Sequence, residues 1–143
     1  MLETMPPIGF GLWKIPRADT AATVVEAIRA GYRHFDSAAD YGNEIETGQG
    51  IAQVIGEGMV TREELWITSK LWNTFHAAEH VEEACRKSLN DLGLEQLDLY
   101  LIHFPIALEY VPIETRYPPE WVHDPAAHVS CRGTRPNFIP ELA

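Results

Sequence analysis

Leu97-Asp98-Leu99-Tyr100-Leu101-Ile102-His103 is an almost continuously apolar run that ends on a histidine. Both faces of a strand in a parallel sheet are covered, so such strands lack the apolar and polar alternation of half-exposed ones. The run therefore predicts a buried strand of a parallel sheet. Three shorter runs, at residues 8–13, 33–38 and 65–70, predict three earlier strands, and the last of them is rich in β-branched and aromatic residues.

Helical patterns with one apolar face separate these four runs. Asp19 is expected to cap the first helix, and Thr61 and Glu64 have capping-box spacing just before the third strand. Strands that alternate with helices indicate an α/β fold with parallel strands. The predicted apolar stripes are Ala21, Val24, Val25 and Ile28 in the first helix, Ile45, Ile51, Ala52 and Ile55 in the second, which begins near Asn43, and Val81, Ala84, Cys85, Ser88, Leu89 and Leu92 in the third. The helices are expected to end at Gly31, at Gly56 with Gly58, and at Gly93.

The alternation stops after His103. Prolines recur from Pro105 to Pro140, and no further amphipathic helix is convincing. The remainder of the chain is therefore predicted to be irregular.

Charge and composition restrict the class of protein. The 143 residues contain 11 Lys and Arg against 21 Asp and Glu, and the net charge of −10 repels nucleic acids and acidic membranes. No apolar run approaches the roughly 20 residues of a membrane-spanning helix, and the first residues do not resemble a signal peptide. We expect a cytoplasmic protein with neither nucleic acid nor membrane as partner. Cys85 and Cys131 are expected to be reduced thiols.

Ionisable side chains end three of the predicted strands. Asp36, Lys70 and His103 lie at or near the carboxyl ends of successive strands, and Tyr41 lies in the loop beyond Asp36. In a parallel barrel this rim is where active sites are built. Each residue could instead have a local role, as a turn cap, a solvated strand end, a loop packing residue or a core histidine. Together, an acid, a cation, a phenol and an imidazole are what carbonyl reduction requires.

Three segments carry a family resemblance. Gly31-Tyr32-Arg33-His34-Phe35-Asp36-Ser37-Ala38-Ala39-Asp40-Tyr41-Gly42-Asn43-Glu44 resembles the signature segment of the aldo-keto reductases. Ile67-Thr68-Ser69-Lys70-Leu71-Trp72-Asn73 and Asp98-Leu99-Tyr100-Leu101-Ile102-His103-Phe104-Pro105 are similar to two further blocks of that family. Residues 111–119, with Asp40, are similar to the xylose reductases in particular. The resemblance implies an incomplete parallel (β/α)8 TIM barrel with about the first four strands, because a whole barrel needs eight strands and about 250 residues.

The resemblance also implies catalytic roles. Tyr41 would be the general acid, Lys70 and Asp36 the pair that tunes it, and His103 the group that orients the substrate carbonyl. A phenol with a pKa of about 10 is a poor proton donor near neutrality, and a neighbouring ammonium favours its anion. The cofactor would be NADPH or NADH, and the substrate an aldehyde or an aldose such as xylose.

Substrate and cofactor contacts are implied as well. Trp13, Trp72, Phe104 and His103 would line the substrate pocket, and Asp40 could hydrogen-bond a sugar hydroxyl. Large aromatic residues at strand ends are more often core residues, which is the alternative for all three rings. The implied cofactor contacts are Gly11, Leu12, Trp13 and Asp36. No metal is expected, because His76 and His80 lack a third ligand and are expected on a solvated helix face.

The resemblance covers about residues 6–125. We therefore expect a partial barrel over residues 1–125 and a divergent, disordered tail over residues 126–143. The family segments that bind most of the cofactor are not recognised in this chain, so a truncated enzyme with little activity is expected, able to self-associate through open sheet edges. The alternatives are a non-catalytic binding module on the same fold and a metal-dependent isomerase barrel, against which the lack of clustered acidic ligands argues.

Overall fold

A computed structural model describes residues 4–114 of the chain. Within them a single sheet contains four strands in the order β1-β2-β3-β4, and every neighbouring pair is parallel. The elements are β1 (Phe10–Gly11), α1 (Arg17–Arg29), β2 (His34–Asp36), α2 (Glu44–Gly56), β3 (Trp66–Leu71), α3 (Ala78–Leu92) and β4 (Leu99–Ile102), with short 3-10 turns at Ala39–Tyr41, Arg62–Glu64 and Asn73–Phe75. This confirms the predicted α/β fold with parallel strands.

β1, β2 and β4 are shorter than the runs that predicted them, and β3 has the same length shifted by one residue. The register of the four strands aligns their carboxyl ends. Gly11 pairs with Asp36, Asp36 with Thr68, and Lys70 with Leu101. Because all four strands run in one direction, the residues that follow Gly11, Asp36, Lys70 and Leu101 leave the sheet at the same rim.

The main hydrophobic core lies between the sheet and the helices. Its members come from every strand-helix step except the last strand: Leu12, Val24, Val25, Ala27, Ile28, Phe35, Ile51, Val54, Val60, Leu65, Ile67 and Leu92. Phe35 and Ile67, paired on neighbouring strands, are fully buried at its centre.

The buried face of α2 differs from the predicted stripe. Ile51 is buried as expected, but Ile45 is 51% exposed and Ala52 is exposed. The face that packs inward instead carries Glu44, Thr47, Gly48, Gly50, Ile51 and Val54. The two glycines explain the rotation, since they let neighbouring backbones approach α2 more closely than any side chain would allow.

The helix ends are largely as predicted, but one cap is not. Gly31, Gly58 and Gly93 have positive φ angles of 101°, 70° and 64° at or just beyond the helix ends. Thr61 and Glu64 form a capping box, in which the Thr61 amide donates to Glu64 Oε2 at 2.8 Å. The prediction that Asp19 caps α1 is wrong, because the helix begins at Arg17 after Pro16 and places Asp19 inside its first turn. Pro16, the residue before the helix, has φ −57° and ψ 142°, outside the helical region, so the helix begins at the next residue.

The last strand is less covered than its apolar sequence predicted. β4 lies at one edge of the described sheet, and Leu101 and Ile102 are 40% and 51% exposed. Residues 103–114 contain no helix and only a single bridge residue, Ala107. The predicted tail at residues 126–143 lies outside the described residues, as does Cys131. Among residues 4–114, no helix combines the length and the apolar composition needed to cross a bilayer.

Gly48 provides a test of the helix packing. A Cβ at this position would lie 2.3 Å from the carbonyl oxygen of Leu92, which is backbone and cannot rotate away. We expect Gly48→Ala to lower the free energy of unfolding by about 2 to 3 kcal/mol, measured by urea denaturation followed by circular dichroism. Gly56→Ala is the matched control, because a Cβ there meets nothing within 4 Å. Equal stabilities for the two variants would contradict the close approach.

Candidate active site

Lys70 is the centre of the polar cluster at the carboxyl rim. Its Nζ donates to Asp36 Oδ1 at 2.7 Å, to the Ser37 carbonyl at 2.7 Å and to Tyr41 Oη at 3.1 Å. The Lys70 side chain is 12% exposed and that of Asp36 is 39% exposed. Because Tyr41 Oη accepts from Lys70, the phenolic proton is left to point away from the ammonium.

Local backbone structure places Tyr41 over Lys70. After β2 the chain turns through the 3-10 turn, in which the Tyr41 amide donates to the Ala38 carbonyl at 3.1 Å. Gly42 then adopts a left-handed conformation with φ 67°, which residues with a side chain rarely adopt. This reversal brings the Tyr41 ring to 4.8 Å from Lys70 Nζ.

His103 completes the group of four. Its ring packs edge-on against Tyr41 at a centroid distance of 5.7 Å and against Trp72 at 5.5 Å. Burial lowers the pKa of His103, the Lys70 ammonium lowers it further, and Asp36 acts in the opposite direction. The imidazole is therefore neutral near pH 7, and its Nδ1 is buried without a hydrogen-bond partner in the described part of the chain. A neutral imidazole can donate one hydrogen bond to a carbonyl oxygen without adding a positive charge.

The three predicted wall residues differ in burial. Trp72 is 1% exposed and belongs to a small second core with Leu71 and Phe75, so the core alternative holds for much of its ring. Phe104 is 45% exposed and stacks on His103 at 4.6 Å. Trp13 is 63% exposed, with Lys14 Nζ 4.5 Å from its ring. Trp13 and Phe104 are thus not core residues among the described ones.

The predicted cofactor contacts differ in how far they are exposed. Gly11 is exposed, and a Cβ there would meet nothing within 4 Å, so open space lies beside the end of β1. Asp36 pairs with Gly11 in the sheet and is half-buried. The Leu12 side chain is fully buried in the main core, its amide donates to the Asp36 carbonyl at 3.1 Å, and its carbonyl accepts from Asn43 Nδ2 at 3.0 Å. The Leu12 side chain therefore belongs to the main core, and its backbone hydrogen bonds hold the loop after β1 to Asp36 and Asn43.

Asp40 is the predicted sugar contact beside Tyr41. It is partly buried, and loss of water raises its pKa to about 6. At neutral pH the carboxylate is mostly ionised, and it can accept hydrogen bonds from hydroxyl groups.

The raised pKa of Asp40 predicts a pH-dependent stability. The folded chain holds this proton more tightly than the unfolded chain, so the contribution of Asp40 is favourable at low pH and is lost as pH rises from about 4 to about 6. Relative to Asp40→Asn, the wild type should lose about 1 kcal/mol across this window, a figure reduced for the partial exposure of the group. Urea unfolding of both proteins at pH 4 and pH 7 measures this, and a stability difference independent of pH would exclude it.

Two residues of the site were missed in the sequence. Asn43 and Glu44 precede an apolar helix pattern, where such residues ordinarily serve as caps. Asn43 is fully buried and makes no side-chain cap, and its Nδ2 donates to the carbonyls of Leu12 at 3.0 Å and Ile15 at 3.2 Å. It therefore ties the Trp13 loop to the Tyr41 loop. The sequence contains no local signal that distinguishes this buried asparagine from an ordinary helix cap.

The histidine pair behaves differently from expectation. His80 is not simply solvated, because its ring stacks on Tyr110 at a centroid distance of 3.5 Å. His76 is partly buried, and burial lowers its pKa. In the part of the chain that the structure describes, no three His, Cys, Asp or Glu side chains are grouped so that they could hold a metal ion.

The carboxyl rim of this parallel sheet carries Asp36, Tyr41, Lys70 and His103. Active-site residues at that rim are typical of enzymes with a (β/α) barrel fold. A sequence model described as the Aldo/keto reductase family matches residues 7–120, so the chain belongs to that family. The chain is 60% identical over 122 residues to an NAD(P)H-dependent D-xylose reductase of Pyricularia oryzae, a match that covers 85% of this chain and 38% of that protein. It is 59% identical over 117 residues to a probable NAD(P)H-dependent D-xylose reductase of Aspergillus oryzae, covering 82% and 37%.

Solved structures agree on the fold. An aldo-keto reductase of Bombyx mori in complex with NADP matches with a TM-score of 0.72 and 47% identity, over 75% of this chain and 37% of that one. The aldose reductase of Schistosoma japonicum matches with a TM-score of 0.74 and 44% identity, over 77% and 36%. The chain thus spans less than two fifths of the length of these relatives. The predicted family and the incomplete barrel are confirmed.

Proposed function

We propose that this chain supplies the catalytic rim of an NAD(P)H-dependent reductase of aldehydes or aldoses. The observation that carries the proposal is the contact of Lys70 Nζ with both Asp36 Oδ1 and Tyr41 Oη, at 2.7 and 3.1 Å. The relatives from Pyricularia oryzae and Aspergillus oryzae are named for D-xylose, which supports a pentose as one substrate.

Proton transfer is the step that these residues would perform. When bound, the nicotinamide would supply the hydride. Gly11 and Asp36 would lie beside it, and a Cβ on Gly11 would meet nothing within 4 Å. Tyr41 Oη would give its proton to the carbonyl oxygen as the carbonyl carbon is reduced. Lys70 would stabilise the phenolate left behind, and Asp36 would hold Lys70 in place.

Substrate orientation falls to the residues around Tyr41. The neutral His103 would donate a hydrogen bond to the carbonyl oxygen, which fixes the carbonyl near Tyr41 Oη. Trp13, Trp72 and Phe104 would form the pocket wall, with Asp40 accepting a hydrogen bond from a sugar hydroxyl. The relative burial of the three rings suggests that Trp13 and Phe104 have the larger surface to offer.

The isolated chain should have little activity. Its described sheet has four strands, whereas a closed barrel has eight, so within residues 4–114 one side of the rim has no strand beside it. We propose residues 1–125 as a partial barrel whose cofactor site needs further segments. A cytoplasmic location, and a partner list without nucleic acid or membrane, stay predictions.

Association of the chain with itself is a separate expectation. β1 and β4 are the edges of the described sheet, and Leu101 and Ile102 expose apolar surface at the β4 edge. Open strand edges with apolar neighbours favour pairing between chains. Sedimentation velocity over a hundredfold concentration range should show species larger than a monomer, increasing with concentration. A constant monomer would rule this out. A non-catalytic module that docks through the same edges is the second candidate function.

A chimera tests the proposed function. Residues 1–120 would be joined to the segment that follows the equivalent position in the Pyricularia oryzae reductase, the relative with 60% identity. We expect steady NADPH oxidation at 340 nm with xylose from the chimera and almost none from the isolated chain. A folded chimera that binds NADPH but reduces no aldehyde would overturn the proposal and favour the binding module.

A further inference from the structure

The carboxyl group of Glu44 is buried behind the candidate active site. Glu44 is the first residue of α2 and is 3% exposed. Its Oε1 accepts from Ser69 Oγ at 2.6 Å, and its Oε2 accepts from Ser88 Oγ at 3.0 Å. Both serines are fully buried. A buried carboxyl group is costly, so two dedicated donors on two other elements indicate a specific role.

The two hydrogen bonds connect three elements. Ser69 lies on β3 immediately before Lys70, and Ser88 lies on α3. Glu44 follows Tyr41 by three residues, across the left-handed Gly42. The same carboxyl group thus joins the segment that carries Tyr41 to the strand that carries Lys70, on the face of the sheet opposite the Lys70 side chain.

Charged groups of α1 and α3 also lie around Glu44. Burial raises the pKa of Glu44, while the two serine hydrogen bonds and Lys87 lower it and Asp91 raises it. Lys87 is itself in close contact with Asp91 on α3. A small cleft of about 170 Å³ is lined by Glu44 together with Arg17, Lys87 and Asp91.

We propose that Glu44 is a positioning residue that sets the separation of Tyr41 Oη and Lys70 Nζ through its hydrogen bonds to Ser69 and Ser88. The inference rests on the proposed function, because it concerns the pair assigned to proton transfer. Without the link, the Tyr41 loop and β3 are free to shift by the few tenths of an ångström that separate a hydrogen bond from a loose contact.

Chemical labelling of lysines tests the inference without any turnover. In the full 143-residue chain, reductive dimethylation read by mass spectrometry reports the reactivity of Lys70 against the exposed Lys14 as internal reference. Lys70 reacts slowly while its Nζ donates three hydrogen bonds. We expect Glu44→Ala to raise the Lys70 to Lys14 ratio about tenfold, the factor that corresponds to about one charge-assisted hydrogen bond.

Two variants separate positioning from general loss of stability. Glu44→Gln keeps one oxygen acceptor and adds an NH2 group that can donate a hydrogen bond to a serine hydroxyl. The Lys70 to Lys14 ratio of this variant should therefore be close to the wild-type value. Val54→Ala removes buried volume from the same helix without touching the link, so it should lower stability and leave the ratio unchanged.

The outcomes are distinct. The inference would be overturned if the Lys70 to Lys14 ratio were unchanged in Glu44→Ala. It would also be overturned if Val54→Ala raised this ratio as much as Glu44→Ala does, or if Glu44→Gln and Glu44→Ala had the same ratio. If Glu44→Ala unfolds, Ser69→Ala and Ser88→Ala test the two hydrogen bonds separately. The larger rise in the Lys70 to Lys14 ratio is expected for Ser69→Ala, because Ser69 adjoins Lys70. If neither variant raises the ratio, the inference is overturned. Failure of the chimera to reduce xylose leaves this labelling result standing, so the two proposals fail separately.

Discussion

Tyr41→Phe in the chimera is expected to lower kcat for xylose by about 10²- to 10⁴-fold, the range of a lost general acid. The substitution removes only the hydroxyl that accepts from Lys70 Nζ at 3.1 Å. The ring keeps its edge-on contact with His103 at 5.7 Å and its place 4.8 Å from the Lys70 ammonium. Xylose and NADPH should therefore still bind, and KM should change much less than kcat. Initial rates of NADPH oxidation over a range of xylose concentrations measure both constants.

A second phenol provides the control for this variant. Tyr32 packs edge-on against Phe10 at a centroid distance of 5.2 Å, on the helix side of the sheet, and lies next to the main core. Tyr32→Phe removes the same atom from a tyrosine outside the rim, so kcat should stay within about twofold of the parent, as for a residue with no part in the transition state. If the two variants lose kcat equally, Tyr41 has no special role in proton transfer.

The candidate site was largely accessible from the sequence because of the parallel sheet. Asp36, Lys70 and His103 are far apart in the chain, but each follows or ends a strand that was recognised by its apolar residues. Parallel strands in register bring such positions to one rim, and the structure places Lys70 in contact with Asp36 and Tyr41 there. The strand-end positions of Asp36, Lys70 and His103 therefore predicted that they share one rim. Tyr41 follows in the loop beyond Asp36, and family resemblance was needed to assign the roles.

The side of α2 that is buried could not be predicted in the same way. Its apolar residues suggested a face with Ile45 and Ala52, yet both are exposed. The decisive contacts are backbone approaches at Gly48 and Gly50, where a Cβ would lie 2.3 Å from Leu92 and 2.7 Å from Ala21. Hydrophobic periodicity is read from apolar side chains. It therefore gives no weight to a glycine, which allows close packing because it lacks a side chain.

The supporting residues escaped prediction for a related reason. Glu44 and Asn43 sit where helix caps are expected, and nothing local distinguishes a cap from a group that crosses to another element. Ser69 and Ser88 look like ordinary polar residues within a strand and a helix. Only the assembled sheet and helices bring Glu44 Oε1 and Oε2 to within 2.6 and 3.0 Å of their hydroxyls.

Lys70→Met in the chimera is expected to lower kcat by about 10²- to 10³-fold, the range for a removed group that stabilises transition-state charge. Methionine has a similar length and fills the same space, but it donates to none of Asp36, Ser37 and Tyr41, which Lys70 Nζ reaches at 2.7, 2.7 and 3.1 Å. Asp36 is 39% exposed, so water can solvate its carboxylate after the loss, and the fold should persist.

The double variant decides whether Lys70 acts through Tyr41. If Lys70 acts only by stabilising the Tyr41 phenolate, removing Lys70 should cause no further loss of kcat in a variant that already lacks the Tyr41 hydroxyl. Tyr41→Phe with Lys70→Met should then be about as slow as Tyr41→Phe alone, because residues that act as one unit lose activity non-additively. If the two losses multiply instead, Lys70 contributes independently of the phenol, for example through substrate or cofactor binding. In that case the 3.1 Å contact between Lys70 Nζ and Tyr41 Oη would not be the origin of the acid strength.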